Sequence, residues 1–231
     1  MYFAGIMDHL SDAPKMELIV WGSTMGILAS STFRVRRQLA SARSKAGNIK
    51  PGSTGPCTQT TLAILGQVGG MSLPTLVYWT ATACNKFHQP EWMTEYALPA
   101  PPDVFGADGV VVGRAVGLLA FLVGTTLTRS ALKALGDQFH AIGIREKPRL
   151  VDSGPYAYVR HPIYTGNLII ATSFALAFWS YIPLYALPIT IGGHLLKLPI
   201  EERTLTEDPV LGNEYKVYKF RVPYRIIPYI W

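Results

Sequence analysis

Residues 160–164 read Arg160-His161-Pro162-Ile163-Tyr164, and further along the chain comes the acidic pair Glu201-Glu202. Two apolar runs separate these clusters and are joined by an aromatic turn, Trp-Ser-Tyr-Ile-Pro at 179–183. A hairpin of the two runs would return both polar clusters to the same face of a membrane. Ionisable groups held against a membrane are costly, so they mark a functional site by default. The alternative interpretation is that Arg160 and the glutamates are ordinary interfacial charges flanking two spans.

Composition indicates the fold class. Of the 231 residues, 49% are hydrophobic, and they lie in long runs, which is typical of a polytopic membrane protein. Crossing the ~30 Å hydrocarbon core takes about 20 residues. We therefore predict an all-α protein with about five transmembrane helices, of which the last two form the hairpin; four or six spans remain open. The predicted spans are 18–33, 60–84, 109–128, 165–180 and 184–200.

The charge distribution predicts the orientation. Segment 34–59 holds six Lys or Arg and no acid, whereas segment 85–108 holds one Lys and four acids. Short positive loops stay cytoplasmic. We therefore expect 34–59 to be a basic cytosolic loop, with the N-terminus outside and the C-terminus cytosolic. The net charge of +6 could indicate nucleic acid, but these charges flank spans and no recognition motif is present, so no nucleic-acid partner is expected.

We divide the chain into two parts. Residues 1–128 carry the first three membrane helices, and residues 129–231 form the core that carries the polar clusters. The two cysteines, Cys57 and Cys84, provide neither a disulfide framework nor metal-ligand spacing, so no metal is expected.

Several local patterns predict packing against helices or lipid. Glycines recur at i, i+4 in the first three spans, which favours close helix approach; they are Gly22, Gly26, Gly66, Gly70, Gly109, Gly113 and Gly117. Arg114 is expected to snorkel to the outer interface, although a buried substrate contact is an alternative.

The C-terminal tail is rich in aromatic residues. Tyr215, Tyr218 and Val222 follow a helical spacing, which predicts an interfacial helix lying on the membrane with this stripe facing the lipid. The aromatic residues of 223–231 are expected to anchor the chain at the interface.

The stretch from Leu150 to Gly166, LVDSGPYAYVRHPIYTG, resembles the isoprenylcysteine carboxyl methyltransferase family. That family carries an Arg-His-Pro motif, an intervening helical hairpin and a Glu-Glu pair. Here Gly212, Glu214-Tyr215 and Arg221-Val222-Pro223 extend the resemblance over residues 129–231. Upstream only the hydropathy agrees. Phospholipid N-methyltransferases share much of this pattern.

The resemblance implies the cofactor, the substrate and the location. The cofactor is S-adenosyl-L-methionine, and the acceptor is the carboxylate of a C-terminal prenylated cysteine in CAAX-processed proteins. The site lies on the cytosolic side of the endoplasmic reticulum membrane, so the bilayer is the other partner. The implied cofactor-binding residues are Ile144, Pro148, Arg149, Leu150, Val151, Tyr156, His161, Pro162, Ile163, Tyr164 and Glu201.

Two positions depart from the family pattern. Lys197 stands where the family often has an arginine proposed to meet the substrate carboxylate, and Ile144 replaces an expected glutamine. Lys197 is therefore the predicted substrate-binding residue. As a point charge, it orients a carboxylate less strictly than a bidentate arginine.

The predicted chemistry needs no general base, because a carboxylate is already ionised near pH 7. The enzyme must exclude water and hold donor carbon and acceptor oxygen about 3–3.5 Å apart in line. We therefore assign positioning roles to His161 and Glu201 and name no acid–base residue.

Two competing hypotheses remain. A phospholipid or other small-molecule methyltransferase acting on an amine would need a base, such as His161 or Glu202. A non-catalytic scaffold or transporter would bind no cofactor and would tolerate substitution at His161 and Glu201.

Overall fold

The computed structural model of the chain describes residues 12–99 and 108–231, and the regular secondary structure of this part is helical. Within it, isolated bridges pair Ile49 with Arg145 and Ala97 with Ser180, and no strand forms. The all-α prediction is confirmed. The helices are α1 (Asp12–Ala46), α2 (Cys57–Cys84), the single turn α3 (Glu91–Thr94), α4 (Gly109–Leu135), α5 (Pro162–Phe178), α6 (Ile182–Glu207) and α7 (Gly212–Arg221).

Two of the described helices, α2 and the stretch Gly109–Gln138, are long and apolar enough to cross a membrane, and the apolar α5 is shorter. Both long helices expose many large apolar side chains, a surface that soluble proteins avoid. The count of five spans and the membrane hairpin formed by α5 and α6 stay predictions. The exposed side chains are Leu62, Leu65, Val68, Leu73 and Leu76 on α2, and Val111, Val112, Val116, Leu119, Leu122 and Val123 on α4.

Glycines bring the helices together in two pairs, α2 with α6 and α4 with α5. A Cβ on Gly66 would lie 3.1 Å from the Cα of Gly193, and one on Gly124 would lie 2.9 Å from the Gly166 carbonyl oxygen. The predicted close packing is therefore confirmed for Gly66 on α2, and for Gly117 on α4, whose Cβ would lie 2.8 Å from the carbonyl carbon of Leu176 on α5. It is not borne out for Gly22 and Gly26 on α1, whose Cβ positions meet no atom of the described residues within 4 Å.

The predicted basic loop is shorter than expected. Helix α1 continues to Ala46, because residues 34–46 contain neither glycine nor proline and the first positive-φ residue is Gly47 at +82°. The connection to α2 therefore comprises residues 47–56, which we call the α1–α2 connector. It pairs with the core: Lys50 N–H donates to the Ile144 carbonyl at 2.7 Å, and Glu146 N–H to the Asn48 carbonyl at 3.0 Å.

Arg114 does not snorkel. Its side chain is buried, and its guanidinium nitrogens lie 2.6 and 2.8 Å from the two carboxylate oxygens of Glu17. It also donates to the Tyr78 hydroxyl at 3.0 Å and to the Ala177 carbonyl at 3.0 Å. The prediction failed because the partner carboxylate comes from α1, far away in sequence. The alternative of a substrate contact is not supported either, since these protein groups surround the guanidinium.

The aromatic stripe of α7 also faces the protein. Tyr215, Tyr218 and Val222 are buried and pack with Leu150 and Leu205. An aromatic stripe suits a protein interior as well as a membrane surface, and in this protein it packs in the interior. The tail, residues 223–231, is divided in the same way. Ile226 is buried against Tyr164 and Leu198, whereas Tyr229 and Ile230 are exposed and could contact a membrane.

Replacing Arg114 with Met should lower the free energy of unfolding by about 3–5 kcal/mol, because Glu17 is left buried without its cation. The double variant Arg114→Met/Glu17→Met should recover much of that loss. Denaturant unfolding in detergent micelles measures both. Arg203→Met, which breaks an exposed pair with Glu207, is the control and should cost roughly 0–1 kcal/mol. Equal losses in the single and double variants would contradict this assignment.

Candidate functional site

A cavity of about 450 Å³ lies where α2, α4, α5 and α6 converge. Its volume falls in the range of roughly 300–1,000 Å³ that is usual for small-molecule sites. Helices α2 and α4 supply an apolar wall that includes Ile64, Val68, Met71, Leu132 and Leu135. The opposite wall is formed by residues 138–151 and by α7, and polar residues from α5 and α6 close one end.

The polar end is built around Glu202. Its carboxylate contacts the Arg160 Nε at 2.9 Å, the His161 Nε2 at 3.2 Å and the Arg225 guanidinium at 3.2 Å. Because α6 runs on to Glu207, this carboxylate is carried by a helix and not by a flexible end. The predicted meeting of the Arg-His-Pro motif with the acidic pair is therefore confirmed.

Glu201 makes a second set of contacts and lines the cavity. The Tyr164 hydroxyl donates to it at 2.5 Å, Lys197 Nζ lies 3.5 Å away, and His161 Nδ1 lies 3.6 Å away. Lys197 also sits 5.1 Å above the Tyr164 ring centre, a favourable cation–π geometry. The imidazole of His161 therefore lies between the two carboxylates.

These contacts fix the protonation states. Burial disfavours the ionised form of Glu201, but the attraction of Lys197 and the hydrogen bonds from His161 and Tyr164 outweigh it and lower its pKa to about 2. Burial of Glu202 is outweighed by His161 and Arg160, which lower its pKa to about 2. Burial would lower the pKa of His161, yet hydrogen bonds to both glutamates raise it. The two carboxylates therefore favour the protonated form of His161.

The 138–151 wall is held by the α1–α2 connector. Ser53 Oγ accepts a hydrogen bond from Ile144 N–H at 3.0 Å, and the Arg145 guanidinium donates to the Gly47 carbonyl at 2.8 Å. A partly buried ion pair of 2.6 Å joins Lys50 to Asp208 at the end of α6. The cavity therefore depends on chain segments that lie far apart in sequence.

Three buried polar atoms on the cavity wall lack a hydrogen-bond partner within the described residues: Thr128 Oγ1, His140 Nδ1 and the Tyr215 hydroxyl. Burial lowers the pKa of His140 to about 4, so its imidazole is neutral at pH 7. An unsatisfied buried polar group costs about 1–3 kcal/mol. A ligand that offered hydrogen-bonding groups to these three atoms would relieve that cost.

Most of the predicted site residues share this cavity. Ten of the twelve line it, namely Ile144, Arg149, Leu150, Val151, Tyr156, His161, Ile163, Tyr164, Lys197 and Glu201. Pro148 and Pro162 do not line it; Pro162 is buried and begins α5, where its missing N–H costs nothing. The roles assigned to these residues stay predictions.

Sequence reasoning missed several other cavity residues. Gln67, Thr128, His140 and Asn167 all line the wall, and a polar residue inside an apolar run could have marked Gln67 and Asn167. Gln138 also lines the cavity and accepts a hydrogen bond from Arg149 N–H at 3.1 Å, so a glutamine is present near Ile144 after all. In residues 12–99 and 108–231, no group of three or more His, Cys, Asp and Glu is placed to hold a metal ion.

Comparison with known proteins agrees with the motif resemblance. Residues 112–208 match the sequence model of the phospholipid methyltransferase family. The chain is 30% identical over 123 residues to the human protein-S-isoprenylcysteine O-methyltransferase, covering 46% of this chain and 38% of the relative. It is 32% identical over 111 residues to protein-S-isoprenylcysteine O-methyltransferase B of Arabidopsis thaliana, covering 46% of this chain and 55% of the relative.

A third relative carries a different name. The chain is 36% identical over 94 residues to a probable 7-dehydrocholesterol reductase of Acanthamoeba polyphaga mimivirus, covering 39% of this chain and 20% of the relative. The alignments thus span between a fifth and just over half of these relatives. The apolar helices and two of these relatives make the chain similar to membrane methyltransferases. The resemblance to the isoprenylcysteine methyltransferases is confirmed.

Replacing Glu202 with Gln should destabilise the protein most at neutral pH. A carboxylate with a lowered pKa stabilises the fold above its unfolded pKa of about 4.3, and that contribution is lost as the pH falls toward 2. The difference in melting temperature between wild type and variant should therefore be largest near pH 7 and shrink below about pH 4.3.

Melting curves in detergent from pH 7 down to pH 3 measure this difference. Glu207→Gln is the matched control, because its carboxylate is exposed on the same helix. A difference in melting temperature that stays constant over this pH range would show that Glu202 does not stabilise the fold through its charge.

Proposed function

We propose that the protein transfers a methyl group from S-adenosyl-L-methionine to the carboxylate of a C-terminal prenylated cysteine. The observation that carries this proposal is the convergence of Arg160, His161, Glu201 and Lys197 at one end of a cavity that α2 and α4 line mainly with apolar side chains. A polar end suits a cofactor and a carboxylate. An apolar wall suits a lipid tail.

The described residues fit the cofactor. Its ammonium needs an anionic partner, and Glu201 stays ionised while two of its three contacts, to Lys197 and His161, are long. Its ribose and adenine need polar partners, and the unsatisfied His140 and Tyr215 line the same cavity. S-adenosyl-L-methionine supplies the electrophilic methyl group when bound. The chain itself binds and orients the cofactor and the acceptor, and it excludes water.

The acceptor carboxylate brings its own charge and needs no base. Lys197 supports its orientation from α6, and Glu201 offsets part of the lysine charge at 3.5 Å. This offset is useful, because a tight pair with Lys197 would quench the nucleophile. His161 acts by position: it holds both glutamates in place through its two ring nitrogens.

The prenyl tail explains a membrane location, since each buried CH₂ contributes about 0.8 kcal/mol. Val68 lines the cavity and is 56% exposed, and the nearby Leu65 belongs to the exposed apolar surface of α2. The apolar wall therefore reaches the surface that faces lipid in a membrane. We extend the proposal to a multi-pass protein of the endoplasmic reticulum, with its site and C-terminus cytosolic, acting on CAAX-processed proteins.

A phospholipid N-methyltransferase is the second candidate, because the match over residues 112–208 carries that family name. An ammonium acceptor must lose a proton before it can attack. Both ring nitrogens of His161 face carboxylates, Glu201 at 3.6 Å and Glu202 at 3.2 Å, so neither nitrogen is free to take that proton. The site therefore favours the carboxylate.

The deciding experiment offers S-farnesylcysteine and phosphatidylethanolamine side by side to the protein in membranes, with radiolabelled S-adenosyl-L-methionine. We expect label in the farnesylcysteine methyl ester. Label in phospholipid alone would replace the proposal with the second candidate. No label and no cofactor binding would leave a non-catalytic scaffold or transporter.

Replacing Glu201 with Gln should weaken cofactor binding by about 10-fold or more, because a charged hydrogen bond is lost. Equilibrium binding of S-adenosyl-L-methionine to the detergent-solubilised protein measures the change. Glu207→Gln on the same helix is the control and should bind normally. Unchanged affinity in Glu201→Gln would remove Glu201 from the cofactor site.

A further inference from the structure

Gln67 is the polar residue of α2 that faces the polar end of the cavity. Lys197 Nζ donates a hydrogen bond of 3.3 Å to its Oε1, and both side chains line the cavity. A lysine ammonium has three donors and no acceptor, so it must face the amide oxygen. The amide NH₂ of Gln67 therefore points away from Lys197, and it has no partner among the described residues.

The helix crossing fixes this position. A Cβ on Gly193 of α6 would collide with the backbone nitrogen of Gln67 and would lie 2.8 Å from the Ala63 carbonyl oxygen. Only the bare glycine lets α2 approach α6 this closely. Lys197 follows Gly193 by four residues, so it lies one turn along the same face of α6. The contact between backbones thus delivers the glutamine side chain to the lysine.

We propose that Gln67 binds the acceptor carboxylate together with Lys197. The lysine supplies an N–H from its ammonium, the glutamine supplies an N–H from its amide, and the two donors come from different helices. A single arginine presents two such donors in a rigid fork. Lys197 lacks that fork, and the neighbouring amide restores the second donor. This inference rests on the proposed carboxylate acceptor.

The placement also bears on the choice of acceptor. Two N–H donors, from Lys197 and from Gln67, lie next to each other on the cavity wall, and both favour an oxygen that carries lone pairs. An ammonium or a protonated amine has no acceptor capacity and would meet the lysine charge. Gln67 is therefore a residue that selects a carboxylate over an amine.

The alternative is a structural role, in which Gln67 only accepts a hydrogen bond from Lys197 and packs α2 against α6. The substitution Gln67→Glu distinguishes substrate binding from this structural role. The glutamate keeps an oxygen for Lys197 and would serve a packing role as well as glutamine does. It replaces the donor NH₂ by a second anionic oxygen, which would repel the acceptor carboxylate.

We expect Gln67→Met to raise the KM for S-farnesylcysteine by about 10-fold or more, as loss of a hydrogen bond to a charged group predicts. Gln67→Glu should raise it further. In both variants kcat should change little, because ground-state and transition-state binding are lost together. Affinity for S-adenosyl-L-methionine, measured by calorimetry, should stay at the wild-type value.

Rescue provides the second arm. Adding Lys197→Arg to Gln67→Met places a two-donor fork on α6 and should lower the KM toward the wild-type value. Gln59→Met, an exposed position at the start of α2, is the control for the substitution itself. A wild-type KM in Gln67→Glu would overturn the inference, as would a failure of cofactor binding in every Gln67 variant, which would assign the residue to packing.

The same assay separates this inference from the function on which it rests. A wild-type protein that transfers no methyl group to farnesylcysteine overturns both. An active wild type with a Gln67→Glu variant of unchanged KM overturns the role of Gln67 alone.

Discussion

A carboxylate withdrawn from water has to be paired, and the pairing of Glu202 organises the polar half of the molecule. Arg160, His161 and Arg225 all reach it. Arg160 then donates to the Val222 and Pro223 carbonyls at 2.9 and 2.8 Å. One buried anion thereby joins the end of α6, the segment before α5 and the C-terminal tail. Because Glu202 makes these structural contacts, the neighbouring Glu201 can face the cavity.

The apolar half depends on contacts between backbones. Helix α2 meets α6 at Gly66 and Gly193, and α4 meets α5 at Gly124 and Gly166. In lipid, helices gain little from hiding apolar side chains, so close van der Waals contact supplies the attraction. These two crossings fix how the four helices that line the cavity pack in pairs. They also bring polar side chains from α2 to a site whose other polar groups belong to α5 and α6.

The sequence was most informative where residue type and connectivity agreed. A hairpin of two apolar runs requires its flanking clusters to meet, so the contact of Arg160 and His161 with Glu202 could be predicted. Periodicity gave no such constraint for Tyr215 and Tyr218, because an aromatic stripe fits a protein interior or a membrane surface equally well. Arg114 and Gln67 could not be placed, since their partners Glu17 and Lys197 come from distant helices. Pairings between distant segments depend on helix packing, which a single sequence does not determine.

The α1–α2 connector has a bearing on how this architecture diversifies. It secures the 138–151 wall through Lys50 and Ser53 and the end of α6 through Asp208, although it precedes residues 112–208, the part that matches a known family. The first two helices are therefore not an interchangeable anchor attached to a self-sufficient core. A sequence change in that connector would move the 138–151 wall of the cavity, so the N-terminal half and the core have to evolve as one unit.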